Sequence, residues 1–189
     1  MAKAAVMLAN GFEEAEAILV VDILRRAGVE CDMVGLTDKT VLGAHKIPIT
    51  ADAELGDNDL SAYDAIVLPG GLPGATNLRD DARIRNILRA FAADPDKFEC
   101  AICAAPIAFA KAGIAKGKKV TSYPGAPLIE EIKAGGAEYV DEGLVTIDGH
   151  MITSRGPATA LAFGYAIAEA LGGDADTLKE EMLYDRVAK

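Results

Sequence analysis

Short apolar runs alternate with longer segments of helical period along nearly the whole chain, and this alternation restricts the fold more than any other feature. "KAAVML" (3–8), "VECDMVGL" (29–36), "YDAIVLPGG" (63–71) and "KFECAIC" (97–103) each carry consecutive apolar residues. Strands buried on both faces read this way, because neither face needs a polar stripe. Between them lie segments with helical spacing. "EEAEAILVVDILRRAG" (13–28) has acids leading, arginines trailing and a glycine at its end, the polarity that a helix dipole favours. "ARIRNILRAFAA", "APIAFAKAG", "LIEEIKAGG" and "PATALAFGYAIAEALGG" continue the series. Two stretches break the pattern. "VLGAHKIPITAD" predicts an irregular hairpin, since Pro48 is confined to an edge. "LVTIDGHMITS" predicts a hairpin around Asp148-Gly149. "KKVTSYPG" reads as a short strand and turn. The pattern predicts an α/β fold: a mostly parallel sheet, helices on both faces, and right-handed crossovers. No repeat or long linker interrupts the 189 residues, so 1–189 is expected to form a single domain. Ligands in such sheets bind beyond the carboxyl ends of the strands, where strand order reverses. Three loops satisfy that rule: "ANGFEE", "PGGLPG" and "CAAP".

Charge and composition exclude several functions. Acids outnumber bases 29 to 19, a net charge of -10, with no basic cluster to neutralise phosphates. Nucleic acid is therefore not an expected partner. Aromatic residues are 5% of the chain and Trp is absent, so Ala, Val, Ile and Leu must fill the core. The first residues, "MAKAAVMLANGFEEAE", lack the basic start and long apolar centre of a secretory signal. No apolar run approaches the ~18 residues of a membrane span. Three cysteines without such a signal suggest a reduced, cytoplasmic setting.

Cys100 and Cys103 have the spacing of a redox or metal pair. On a strand at ~3.3 Å per residue their Cα atoms lie about 10 Å apart, beyond the ~7 Å a disulfide tolerates. A zinc site would need Cys31, His45 or His150, none at ligand-like spacing, so no metal is expected. Cys103 is a different matter. It ends a strand, precedes Pro106 and has Ala101, Ala104 and Ala105 as neighbours, which permits the sharp turn of a nucleophile elbow. A following helix N-terminus would favour thiolate over thiol. The same position suits a small buried hydrophobe equally well. Cys31 and Cys100 read as core.

Glu16 shares a helical stripe with Leu19, Val20, Ile23 and Ala27 and so faces the interior. A carboxylate there must be paired or hold its proton. It stands on the same sheet edge as Cys103 and could act on it as acid or base. Glu13 and Glu14 read as solvated acids of the first turn. Gly70, Gly71 and Gly74 allow close backbone approach and N–H donors for an oxyanion, or form only a tight turn. They match neither a dinucleotide nor a phosphate loop, and no cofactor is expected.

The blocks "ANGFEEAEA", "VLPGGLPGATNL", "AICAAPIAFAKAGI", "KVTSYPG" and "ITSRGPATALAFGYAIAEAL" resemble, in order, the ThiJ/PfpI superfamily and within it the DJ-one branch. The resemblance runs from about Lys3 to Leu171 and implies a flavodoxin-like three-layer sandwich and a homodimer. It implies that Cys103 is a reactive, oxidisable cysteine and Glu16 the acid bonded to it. Gly71 and Ala104 would turn backbone N–H groups to the sulfur. Arg155 would border the site, and Arg25 or Arg26 would reach a partner's pocket. Tyr123 stands where well-studied members carry a histidine. Ala104 stands where protease-like branches carry histidine, which argues against a Cys–His hydrolase. The implied activity is a cofactor-free, glutathione-independent glyoxalase or deglycase acting on methylglyoxal or its early protein adducts. The alternative is a redox-sensing, stress-protective protein that works through oxidation of Cys103 to sulfinic acid.

Overall fold

The apolar runs become strands covered on both faces. The computed structural model describes residues 1–57 and 59–186. In chain order the elements are β1 (Lys3–Leu8), α1 (Glu14–Arg26), β2 (Glu30–Gly35), β3 (Thr40–Leu42), β4 (Pro48–Thr50) and β5 (Ala53–Glu54). Then come β6 (Ala65–Leu68), α2 (Gly74–Asp80), α3 (Ala82–Ala92), β7 (Phe98–Ile102), α4 (Ile107–Ala112) and β8 (Lys119–Val120). The chain continues through α5 (Ala126–Ala134), β9 (Glu138–Tyr139), β10 (Val145–Asp148), β11 (Met151–Ser154), α6 (Ala160–Ala170) and α7 (Ala175–Glu181).

Seven strands form the main sheet in the order β10-β11-β7-β6-β1-β2-β5. All neighbours are parallel except β10 and β11. Alternation along β1 divides the core. Ala5 and Met7 pack with α2, α3, α4 and α5; Ala4, Val6 and Leu8 pack with α1, α6 and α7. Helix α1 lies close on α6 because residue 164 is glycine: a Cβ there would stand 2.7 Å from Ile23 Cδ1. From β1 the chain builds β2 on one side and later returns to β6 on the other. The crevice where order reverses therefore opens above the carboxyl ends of β1 and β6, and β7 ends beside it. The three-layer α/β sandwich is as the sequence predicts. Among the described residues, no helix is long and apolar enough to cross a membrane.

Both predicted hairpins form, β3–β4 and β10–β11, the latter turning at Gly149 with φ 63°. Three local features differ from the sequence reading. The stretch after the 70–71 turn winds into α2, which buries Ala75 and Leu78. Helix α7, absent from the predicted helices, follows an Asp174 cap that accepts the Thr177 N–H. Strand β8 stays outside the main sheet and pairs in parallel with β9.

One core residue is out of character. Glu99 of β7 is 4% exposed and its Oε1 has no hydrogen-bond partner among the described residues. Burial pushes its carboxyl up to about 7, against a smaller opposing pull from its own backbone N–H and from Lys118. A carboxyl raised in the fold contributes stability that is full below its unfolded value, near 4.5, and lost as pH rises through about 7. The penalty at alkaline pH is roughly 3 kcal/mol at most. Glu99→Leu is expected to raise Tm more at pH 8 than at pH 5 in paired thermal melts. An equal shift at both pH values would contradict this account.

Candidate active site

Cys103 is the first residue beyond β7, and its backbone has φ 62°. A side chain with Cβ adopts that left-handed region at a cost, so the surroundings must impose it. They do so from two sides. The Cys103 N–H donates to Ser154 O at the end of β11 (3.0 Å), and the Tyr123 N–H donates to Cys103 O (2.9 Å). Ala105 N–H closes the turn on Ile102 O (3.0 Å). The turn lifts Cys103 out of the sheet and leaves it half-buried, whereas Cys31 and Cys100 are buried. Cys100, in register between Val67 and Ile152, is wholly enclosed at 0% exposure. All three cysteines are free.

Glu16 meets Cys103 from α1. Its carboxyl is 1% exposed, and Oε2 accepts the Gly70 N–H at 2.7 Å. Its other oxygen, Oε1, has no hydrogen-bond partner among the described residues, and the Cys103 thiol lies close enough to influence the carboxyl. Gly70 is glycine for a steric reason: a Cβ would fall 2.6 Å from Cys103 Cβ and 2.8 Å from Glu16 Oε2. Gly71 follows with φ 83°, a conformation that costs glycine nothing. The N–H groups of Gly71 and Ala104 both turn toward the Cys103 sulfur.

Each group shifts the ionisation of the other. Burial pushes Glu16 up to about 7, the Gly70 N–H and the thiol oppose that shift, and the charge of Glu13 adds to it. Burial also pushes Cys103 up to about 12, joined by the charge of nearby Glu16, while the Gly71 and Ala104 N–H groups pull it down. This corrects the expectation that the turn into α4 would favour the thiolate outright. Desolvation and a carboxylate neighbour outweigh two amide dipoles. Two groups this close titrate as a unit: both are raised, and the carboxyl gives up its proton before the thiol.

The sequence and architecture match known proteins along the same span. Residues 2–170 match the DJ-1/PfpI family. The chain belongs to the DJ-1/PfpI family. Within its DJ-1 branch, the chain is 39% identical to Protein dj-1beta of Drosophila melanogaster over 175 residues, 92% of this chain and 91% of the fly protein. The crystal structure of Drosophila melanogaster DJ-1beta superimposes with a TM-score of 0.90 at 37% identity, over 96% of this chain and 97% of the other. The glutathione-independent glyoxalase DJR-1.2 of Caenorhabditis elegans is 32% identical over 165 residues, 87% of this chain and 86% of its own. An oxidized Toxoplasma gondii DJ-1 superimposes with a TM-score of 0.88 at 30% identity, covering 97% and 98% of the two chains.

The residues that the DJ-1 resemblance nominated do not all gather in one place. Cys103, Glu16, Gly71 and Ala104 converge. Tyr123, half-exposed, and Arg155 line an adjoining groove of about 600 Å³ with Asp141, Leu144 and Pro157. Arg155 is held there by Asp141. Arg25 and Arg26 lie at the far end of α1. Arg25 donates to Cys31 O and Asp52, and Arg26 pairs with Asp22. Neither joins the Cys103 site of its own chain. Glu14 was expected to be solvated and is instead 7% exposed, taking the His45 N–H at 2.8 Å. The hairpin between β3 and β4 folds over it, a contact across 31 residues that helical periodicity does not report.

Replacing Glu16 by Gln removes one of the two coupled groups. The variant is expected to show a single Cys103 titration displaced below about 12, read by pH-dependent iodoacetamide alkylation and intact mass. A profile identical to that of the unmodified protein would refute the coupling.

Proposed function

We propose that the chain is a cofactor-free, cysteine-dependent enzyme that converts methylglyoxal to lactate, with related action on early methylglyoxal adducts of proteins. One observation carries the reading. A half-exposed thiol, two backbone N–H groups and a carboxyl raised to about 7 meet at a single strand end. The glyoxalase DJR-1.2 in the same family supports the reaction class.

The chemistry divides among these groups. Cys103 sulfur adds to the aldehyde carbon as Glu16 takes the thiol proton, giving a hemithioacetal whose oxygen is then protonated. The N–H groups of Gly71 and Ala104 stabilise the developing oxyanion. Glu16, poised near neutrality, removes the hydrogen from the former aldehyde carbon to give an enediol and returns a proton to the neighbouring carbon, while the hemithioacetal hydroxyl proton passes to the former ketone oxygen. The product is a lactoyl thioester, which water hydrolyses to lactate and free thiol. Overall one water is consumed and no oxidant is needed. Tyr123, where the resemblance implies a histidine, borders the groove, and a phenol is a weaker general base than an imidazole at neutral pH. Turnover is therefore expected to be slow for this mechanism. A homodimer is part of the proposal: Ile18 on α1 and Leu42 and Ile47 on the adjacent hairpin are exposed apolar residues that a second copy would cover.

Cys103→Ser is expected to cut lactate formation from methylglyoxal by at least 100-fold, followed by enzymatic assay of lactate. Undiminished lactate production in that variant would end the proposal. A second reading rests on exposure. Cys103 is half-buried while Cys31 and Cys100 are buried, and an oxidant reaches an accessible sulfur first. Mild peroxide is expected to add two oxygens at Cys103 alone, located by peptide mass. Equal oxidation of all three cysteines would remove this reading.

A further inference from the structure

Two consecutive carboxylates at the start of α1 turn toward one imidazole. His45 Nδ1, from the loop between β3 and β4, is 3.0 Å from Glu14 Oε2 and 3.5 Å from Glu13 Oε2. The three ligand-type atoms all lie within 4.8 Å of one another. The imidazole already pairs with both carboxylates, and a divalent cation would take the place of its proton between them. We infer that Glu13, Glu14 and His45 form a site for a borderline divalent cation of the Zn²⁺ class, leaving its remaining coordination positions open.

Both separations from the imidazole fit the chemistry. Donors about 2.1 Å from one zinc ion, spread at tetrahedral to right angles, stand roughly 3.0–3.4 Å apart. Imidazole with two carboxylates selects zinc, cobalt, nickel or copper over the harder magnesium and calcium, which prefer oxygen alone. One ligand is already oriented. Glu14 Oε1 is held by the His45 N–H (2.8 Å) and the Ile47 N–H (3.3 Å), which turns Oε2 toward the imidazole. Such fixing of a ligand by its neighbours strengthens metal sites. Residue 43 is glycine where the loop crosses this carboxylate, and a Cβ would fall 2.1 Å from Oε1. The His45 side chain, 67% exposed, supplies an adjustable donor. The donors come from two separate segments, so a bound ion would also pin the hairpin to α1. This inference does not depend on the reaction proposed for Cys103.

The test must keep the thiol out. Glu13 N–H donates to Gly70 O (2.9 Å), next to the Gly71 N–H that faces Cys103. Protein with Cys103 alkylated by iodoacetamide is titrated with Zn²⁺ by calorimetry. One ion per chain at micromolar affinity is expected. His45→Ala and Glu13→Gln are each expected to weaken binding at least tenfold. Circular dichroism checks that each variant keeps its fold, and size-exclusion chromatography that it keeps its assembly, since Leu42 and Ile47 of the proposed dimer face flank His45. Co²⁺ added to the unalkylated protein is expected to give d–d bands without a thiolate-to-cobalt charge-transfer band. No binding by the alkylated protein, unchanged binding in both variants, or a charge-transfer band would each overturn the site.

Discussion

The hydrogen bond from the Gly70 N–H to Glu16 Oε2, 2.7 Å long and spanning 54 residues of sequence, is the contact on which the proposed site depends. A carboxyl with 1% exposure has lost its water and must find donors within the fold. Gly70 supplies one, and only a glycine can, because any Cβ would strike both Cys103 and Glu16. The bond thereby ties the first turn of α1 to the loop after β6 and holds both against the end of β7. It lowers the cost of the ionised carboxylate without abolishing it, so Glu16 rests near neutrality rather than at an ordinary acid value.

Glu99 shows why a raised carboxyl does not by itself mark a site. It too is pushed up to about 7 by burial and has an oxygen without a partner among the described residues. It lies near the amino end of β7, beside Lys118 and His150 rather than a nucleophile. Two carboxyls on opposite edges of one sheet thus share a titration and differ in neighbours. Convergence distinguishes Glu16: a thiol at a forced positive φ, with two amide groups aimed at its sulfur.

The first turn of α1 serves two environments at once. Residues two apart on a helix point about 200° apart, so Glu14 and Glu16 face opposite ways. Glu16 goes inward to the crevice, and Glu14 goes outward beneath the β3–β4 hairpin. Glu13 is the extended residue just before the helix, and its backbone joins the Gly70 loop while its side chain approaches His45. A row of acids that could have been only a favourable helix start is divided between a coupled acid–thiol pair and an imidazole cluster.

Much of this was legible in the chain. The alternation of apolar runs with helical segments determined the layers, because strand and helix periods are properties of the local backbone. The stripe containing Glu16 and the small residues around Cys103 followed from the same local rules. Strand order, the pairing of β8 with β9 rather than with the main sheet, and the arrival of His45 above Glu14 did not. Those depend on which distant segments pack together. The ionisation of Cys103 was likewise beyond the sequence. Its local turn argues for a thiolate, yet burial and the Glu16 charge decide against it. Desolvation and Coulomb interactions act through space, between groups that only the tertiary structure brings within a few ångströms.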